Sequence, residues 1–206
     1  MLRGPVLVRG ASASEVALMA PLWDEFCQQG GAAVAVPAGL DVGERIRERI
    51  EESDAAVAAG GRPTYRLVLA MDGSEPVGFA SFSCVERGLL ASGPVVVIDV
   101  VHVGSAQRKR GVGTQLLRAA VLFADEVGAA DVVVNVPPAA RDVNRFYARI
   151  GFSPMLLRRT APLGQLRRRL GVDTRLDPRD ATVDLTPVQR SLRRRVLLAP
   201  RRSATR

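Results

Sequence analysis

The stretch VHVGSAQRKRGVG, residues 101–113, decides how this chain folds, and it overlaps the end of the run PVVVIDVVHV at 94–103. That run is rich in β-branched residues and predicts a strand. Apolar residues then recur at helical spacing over about 112–127, so the basic, glycine-containing loop opens a helix. A helix N-terminus leaves backbone N–H groups unpaired and carries partial positive charge. The loop therefore predicts a binding site for a phosphate or pyrophosphate group.

Two known phosphate-binding patterns are absent from the chain. It contains neither GxxxxGK[ST], the P-loop, nor GxGxxG, the dinucleotide fingerprint. Arg108, Lys109 and Arg110 add fixed positive charge to the loop. The alternative interpretation is a plain turn between a strand and a helix, with solvated basic side chains.

The elements on either side of this stretch predict an α/β fold. Two amphipathic helices precede it and a hairpin leads into it, while a strand, a short helix and a last strand follow it. The predicted strands are 5–10, 64–71, 76–86, 94–103, 131–136 and 152–160, and the predicted helices run from Ser12 or Ser14 to about Gln29 and over about 42–58, 112–127 and 140–150. This order is typical of a mixed sheet sandwiched between helices.

Two short motifs carry a family resemblance. The loop Arg108-Lys109-Arg110-Gly111-Val112-Gly113 matches the pattern [Q/R]-x-x-G-x-[G/A], and the stretch FYARIGF at 146–152 matches F/L-Y-x-x-x-G-F. In this order and context the chain resembles the GNAT superfamily of acyl-CoA-dependent N-acyltransferases, over roughly residues 6–160. The resemblance implies a GNAT-like mixed central sheet of about six to seven strands, flanked by about four helices.

The resemblance also implies an activity and a set of site residues. The activity is transfer of an acetyl or other short acyl group from acyl-CoA, a co-substrate, to a primary amine by direct attack, without a metal. Tyr147 corresponds to a general acid that protonates the departing thiolate. The cofactor-binding residues implied are Val101 and Val103 for the pantetheine arm, and Arg108, Lys109, Arg110, Gly111, Val112, Gly113 and Thr114 for the pyrophosphate.

One family position differs in this chain. GNAT proteins often carry an asparagine seven residues before the tyrosine, and here that position is Ala140. Asn144 is out of register, so Asn135, at the preceding strand, is a candidate to face the cofactor instead. For Tyr147 itself the alternative is a core aromatic whose hydroxyl bonds to the backbone.

A charged residue inside the apolar strand is the first candidate for a general base. Strand alternation places Asp99 on the same face as Val101 and Val103. Burial would raise the pKa of its carboxyl group, which suits a base. The alternative role for Asp99 is a structural one, in which it bonds to a loop or an arginine. The other candidate bases are His102, on the opposite face, and Glu86, at the end of the hairpin strand.

Positive charge is concentrated at the end of the chain. Residues 1–157 hold 15 Lys+Arg against 17 Asp+Glu, and residues 158–206 hold 14 against 4. We expect a GNAT-like domain over 1–160 and an arginine-rich extension over 161–206, partly helical at 165–171 and 187–199 or disordered. A docked C-terminal helix, against the domain or a second subunit in a homodimer, is one interpretation. A patch that binds nucleic acid, ribosomes or an anionic membrane surface is the other.

Composition favours a cytoplasmic protein without a structural metal. The chain has one histidine, and Cys27 and Cys84 lack metal-ligand spacing, so a multi-histidine or zinc site is not expected. We find no signal peptide and no run long enough to span a bilayer.

The acceptor, a small molecule or a protein, is open. Two other functions stay open: a non-catalytic acyl-CoA-binding regulator and a nucleic-acid-associated protein acting through its tail.

Overall fold

A computed structural model describes residues 6–29, 41–86, 93–155 and 161–170. The chain divides into two compact units, one ending at Gly151 and one beginning at Phe152. The first unit holds strands β1 (Leu7–Gly10), β2 (Tyr65–Asp72), β3 (Glu75–Glu86), β4 (Pro94–Val103) and β5 (Asp131–Val134). Its helices are a 3-10 helix (Ala13–Met19), α1 (Ala20–Gln28), α2 (Val42–Ala58), a 3-10 turn (Ser105–Gln107), α3 (Val112–Val127) and α4 (Arg141–Ile150).

The strands form one mixed sheet in the order β1-β2-β3-β4-β5. The first four pair antiparallel with their neighbours, and β5 runs parallel to β4. A parallel neighbour requires a crossover connection, which α3 supplies. The predicted α/β class and mixed sheet are therefore confirmed.

Helices cover both faces of this sheet. On one face, the 3-10 helix, α1 and α2 enclose a buried cluster of Val16, Met19, Leu22, Ile50, Tyr65, Leu67, Leu69, Met71 and Phe79. On the other face, the rings of Phe82 and Phe123 stack with centroids 6.2 Å apart, which packs α3 against β3. Burial of apolar side chains on both faces stabilises the central strands.

A β-bulge interrupts β4 at Asp99. The register pairs Ser81 with Val100 and then Phe82 with Ile98, so Asp99 is an extra residue opposite β3. A bulge bends its strand and breaks the alternation of side chains across it. Residues before and after Asp99 therefore do not follow one continuous alternation.

Some predicted boundaries differ from the structure. The helix predicted from Ser12 or Ser14 to Gln29 is a 3-10 helix followed by α1, whose first turn contains Pro21, a residue without a backbone N–H. The described sheet has five strands rather than six to seven, since residues 152–155, which include Pro154, form no strand. Residues 156–160 lie outside the described residues.

The second unit contributes one described helix, α5 (Leu163–Leu170), with the sequence LGQLRRRL. It matches the helix predicted at 165–171, shifted by two residues at its start, and its leucines recur at helical spacing. The helix predicted at 187–199 lies outside the described residues. No described helix is long and apolar enough to cross a membrane.

Candidate functional site

The N-terminus of α3 is open. Gly111 is its cap residue with a φ of +83°, and without a side chain it accepts no capping hydrogen bond from the N–H groups of the first turn. Val112 is buried beneath this turn, whereas Gly111 and Thr114 are exposed. An uncapped helix N-terminus presents N–H groups and partial positive charge that suit an anion, and binding of an anion here stays a prediction.

Lys109 also adopts a left-handed backbone conformation, with a φ of +62°, the one non-glycine residue that does so among those described. Two left-handed residues, Lys109 and Gly111, are thus separated by a single residue. Loops that alternate in this way turn successive backbone N–H groups toward one concavity, which binds anions. The cost of a strained lysine, of order 1–3 kcal/mol, is typical of a functional loop.

The basic side chains of the loop are partly used to hold its shape. Arg108 Nε donates to the Val103 carbonyl at 3.3 Å, and Arg108 Nη2 donates to Gln29 Oε1 at the end of α1. Arg110 Nη1 donates to Gln107 Oε1. Because guanidinium groups have five N–H donors, each keeps donors for a ligand.

A carboxylate from α1 fixes the other end of the loop. Glu25 Oε1 accepts the Ser105 N–H at 2.8 Å, just after β4 ends. This hydrogen bond is the largest cause of a lowered Glu25 pKa. The last turn of α1 therefore holds the loop that precedes α3.

A gap opens between β4 and β5. The parallel pairing joins only Val95–Ile98 to Asp131–Val134. From Val100 to Val103, β4 keeps β3 on one side and has no described strand on the other. Along this edge the backbone pairs with no described strand, and the Val103 carbonyl accepts a hydrogen bond from Arg108 Nε. An extended, amide-bearing ligand can add to such an edge like a strand.

Asp99 lies where this gap begins. Its Oδ2 accepts a hydrogen bond from Ser83 Oγ at 2.6 Å. Asp99 is exposed to solvent, yet the protein surrounds much of its carboxyl group, and this desolvation raises its pKa. The Ser83 hydrogen bond and the Arg49 charge partly oppose that rise. A solvent-accessible carboxylate with a raised pKa suits a general base.

The expected face of Asp99 is wrong. Val101 pairs with Ala80, and Val103 pairs with Gly78, on the face covered by α3, where a Cβ on Gly78 would meet Leu116. Asp99 bonds instead to Ser83 on the opposite face. The bulge is the reason, because it inserts one residue and shifts the alternation.

The bulge also changes the setting of the other base candidates. His102 pairs with Phe79 and is buried between Phe26 and Phe79, so it shares the face of Asp99 rather than opposing it. Burial lowers its pKa, and Nε2 lies 3.7 Å from Glu25 Oε2, beyond hydrogen-bond distance. Glu86 is exposed, and its Oε1 lies 3.6 Å from Arg62 Nη2. His102 is buried and Glu86 lies at the end of β3, so neither is a solvent-accessible carboxylate at the gap between β4 and β5, as Asp99 is.

Tyr147 lies on α4 and is 7% exposed. Burial raises its pKa to about 12, so the phenol is protonated at neutral pH and is able to donate a proton. Phe146 packs edge-on against it and lies 3.5 Å from where a Cβ on Gly113 would be. The residue before Tyr147 thus contacts the first turn of α3.

Two asparagines near α4 have different surroundings. Asn144 Nδ2 donates to the carbonyls of Pro137 and Ala140, both at 3.0 Å, and so holds the start of the helix. Asn135 is exposed directly after β5 ends. A cleft of about 590 Å³, lined by Pro138, Arg141, Asn144 and Arg145, contains none of the predicted site residues.

Sequence reasoning missed two polar residues beside Asp99. Ser83 lies inside a strand whose neighbours are apolar, and Arg49 is one of several charged residues on α2. Arg49 Nη2 donates to Ser83 Oγ at 3.3 Å across 34 residues of sequence. No local pattern predicts this contact, because only sheet pairing and the packing of α2 create it. No metal-binding group of three or more His, Cys, Asp or Glu occurs within the described part of the chain.

The comparison with protein families decides the identity of this fold. Residues 40–152 match the model of the acetyltransferase (GNAT) family, which is more than half of the chain. The chain belongs to the GNAT family. No curated protein matches it.

Solved structures similar to this GNAT protein include several acetyltransferases. AAC(6')-Iy in complex with the bisubstrate analogue CoA-S-monomethyl-acetylneamine has 18% identity and a TM-score of 0.59, over 77% of this chain and 100% of that one. Ribosomal-protein-alanine N-acetyltransferase from Brucella melitensis has 15% identity and a TM-score of 0.58, over 77% and 99%. Glucosamine-6-phosphate N-acetyltransferase from Arabidopsis thaliana has 14% and 0.58, over 78% and 99%. At these identities the similarity establishes the fold alone.

Proposed function

We propose that this GNAT protein transfers the acetyl group of acetyl-CoA to a primary amine by direct attack, without a covalent enzyme intermediate. One observation carries the proposal: β4 leaves β5 at Ile98, and the next residue is the bulged, solvent-accessible Asp99. The same strand leads into the loop that opens α3. An extended thioester along β4 would therefore run from the phosphate loop to a carboxylate base.

Backbone groups account for most of the proposed co-substrate binding. The first-turn N–H groups of α3, from Val112 to Thr114, would hold the pyrophosphate, helped by the positive charges at 108–110. The open edge of β4 at Val101 and Val103 would pair with the pantetheine amides. Asn135, where β5 ends, is proposed to contact the same arm across the gap.

The proposed reaction needs one base and one acid. Asp99 takes a proton from the acceptor's ammonium, because only the neutral amine is nucleophilic. The nitrogen then forms a bond to the thioester carbonyl carbon, and the C–S bond breaks. Tyr147 gives its proton to the sulfur, so that CoA leaves as a thiol, and the amide nitrogen loses its second proton, which restores Tyr147. The overall products are the acetylated amine, CoA and one proton released from Asp99 to solvent.

The acceptor is proposed only as an amine-bearing small molecule or protein. The similar structures are named for an aminoglycoside, a ribosomal-protein alanine and a sugar phosphate, which share little beyond an amine. Acetyl is the proposed acyl group because the matching family model describes acetyltransferases. The homodimer, the cytoplasmic location and nucleic-acid binding by residues 161–206 remain predictions.

Release of the CoA thiol from acetyl-CoA tests the proposal. The amines to compare are an aminoglycoside, a peptide with N-terminal alanine, glucosamine-6-phosphate and a polyamine. We expect release that depends on one of these amines, falls at least tenfold in Asp99→Asn, and is unchanged in Asp54→Asn, an exposed carboxylate on α2.

Two other results would contradict the proposal. Acetyl-CoA binding, measured by calorimetry, without turnover of any amine would favour a non-catalytic regulator. Absence of acetyl-CoA binding to the folded protein would remove the co-substrate itself.

A further inference from the structure

Arg49, Tyr65 and Ser83, which the proposed reaction does not use directly, form a cluster beside Asp99 on the face of the sheet covered by α2. The guanidinium carbon of Arg49 is 5.2 Å from the centroid of the Tyr65 ring, and Arg49 Nη2 is 3.3 Å from Ser83 Oγ. Ser83 is 9% exposed and Arg49 is half-buried. A cation held over an aromatic ring has restricted freedom, so the position of this guanidinium is well defined.

The direction of the hydrogen bonds in this cluster is forced. Arg49 has only donors, and an ionised Asp99 has only acceptors. Ser83 has one hydroxyl proton, so it donates that proton to Asp99 at 2.6 Å and accepts from Arg49 through its oxygen. The chain therefore runs from Arg49 to Ser83 to Asp99, and each bond polarises the next in the same sense.

The groups around Asp99 on the neighbouring strands carry no second charge. On β2, burial raises the pKa of Tyr65 to about 12, so its phenol is neutral. On β3, Ser81 bonds to Tyr65, and on β4 Asp99 is the one carboxylate. Arg49 on α2 is thus the positive charge that acts on Asp99 among the residues described here.

The position of α2 is itself fixed by a buried serine. Ser53, one turn after Arg49, is 2% exposed. Its Oγ donates to the Tyr65 carbonyl at 3.0 Å and accepts the N–H groups of Thr64 and Tyr65 at 3.0 and 3.1 Å. These bonds attach α2 to the start of β2 and set the reach of Arg49.

We propose that Arg49 is a positioning residue that orients the Ser83 hydroxyl toward Asp99 and so keeps this carboxylate ionised and ready to accept a proton. This role rests on the proposed function, in which Asp99 is the base. It assigns to α2 a direct influence on the chemistry at β4.

The test is an NMR titration of the Asp99 carboxyl carbon in protein labelled with 13C at its aspartate carboxyl groups, the signal being assigned by its loss in Asp99→Asn. Arg49→Gln and Ser83→Ala are each expected to raise the midpoint, because each removes a group that favours the ionised form. Arg49→Lys keeps the charge without the planar fork and should give a midpoint between wild type and Arg49→Gln. The matched control is Arg45→Gln, since Arg45 lies one turn earlier on α2 and pairs outward with Glu48 at 2.8 Å.

The outcomes separate this role from the proposed function. A midpoint in Arg49→Gln equal to that of the Arg45→Gln control would overturn the proposal. A rise in Arg49→Gln without one in Ser83→Ala would also overturn it, because Arg49 would then act without the hydroxyl. If Arg49→Gln does not fold, the midpoints of Ser83→Ala and Arg49→Lys are each compared with that of Arg45→Gln. A rise in both supports the proposal, and a midpoint equal to the control in either variant overturns it. Because the titration needs no acceptor, failure of the proposed function, shown by full amine-dependent activity in Asp99→Asn, is a distinct result.

Discussion

Gly111 and Gly128 lie at the two ends of α3 in the same left-handed conformation, with φ values of +83° and +71°. A Cβ added at either position would point into open space, with no packing neighbour within 4 Å. Substitution of either glycine should therefore introduce the same kind of backbone strain. The two positions differ only in which part of the molecule they adjoin. Gly111 adjoins the proposed pyrophosphate site, whereas Gly128 adjoins the far end of the helix.

Substitution of these glycines separates co-substrate binding from stability. We expect Gly111→Ala and Gly128→Ala each to lower the free energy of unfolding by roughly 1–2 kcal/mol, since a left-handed conformation is costly with a Cβ. Only Gly111→Ala should also weaken acetyl-CoA binding, by about tenfold (~1.4 kcal/mol). Denaturant unfolding and calorimetric titration measure the two effects. Equal acetyl-CoA affinities in the two variants would mean that the pyrophosphate binds elsewhere.

Removal of the Tyr147 hydroxyl should reduce the rate and leave binding intact. In Tyr147→Phe we expect kcat to fall by about 10²-fold or more, in the range for loss of a general acid, with acetyl-CoA affinity unchanged. The buried ring remains, so folding should be preserved. Steady-state kinetics with an accepted amine, together with calorimetry, gives both quantities. A wild-type kcat in this variant would show that the hydroxyl is structural.

The raised pKa of Asp99 predicts how activity depends on pH. As pH falls through that raised pKa, Asp99 gains a proton and can no longer act as the base, so kcat/KM should fall on the acid side. In Asp99→Asn this limb should disappear along with most of the activity. A pH profile of kcat/KM for both proteins is the measurement, and an acid limb that persists in Asp99→Asn belongs to another group.

The same raised pKa predicts that ionisation of Asp99, which the activity needs, lowers the stability of the fold. A carboxyl whose folded pKa lies above its unfolded value disfavours the folded state once pH rises above the unfolded value. Asp99→Asn, which removes the charge, should therefore unfold at the same or a higher temperature than wild type at neutral pH. Thermal unfolding at neutral pH tests this, and a marked loss of stability would mean that the ionised carboxylate stabilises the fold.

His102 predicts acid sensitivity of the fold. Its folded pKa is lowered, chiefly by burial, so below about pH 6.5 the unfolded chain binds a proton that the folded chain does not. The free energy of unfolding should therefore fall as pH decreases through this range. In His102→Phe, which keeps a ring between Phe26 and Phe79, the fall should be smaller. Denaturant unfolding across this pH range compares them, and parallel curves would assign the sensitivity to other groups.

The sequence predicted the elements that carry strong local patterns. The β-branched run predicted β4 at the bounds observed, Pro94–Val103, and the apolar spacing predicted a helix at about 112–127, where α3 (Val112–Val127) lies. The glycines of the loop placed the open N-terminus of α3 correctly, because a left-handed cap without a side chain is a local property. Weaker patterns predicted less accurately: a new helix begins at Ala20, followed by Pro21, inside the first predicted helix, and residues 152–155 of the strand predicted at 152–160 form no strand.

The sequence by itself determined the α/β class, the position of the basic loop that opens α3 and the family, because each depends on residue types at fixed spacing along the chain. Only the tertiary structure decided the face of Asp99 and its partners. A sequence-based face assignment assumes unbroken alternation, and the bulge depends on how β4 pairs with Ser81 and Phe82 of β3. The contact between Arg49 and Ser83 likewise spans 34 residues and forms only when α2 packs on the sheet. Long-range pairing, which no local pattern encodes, therefore builds the environment of the proposed base.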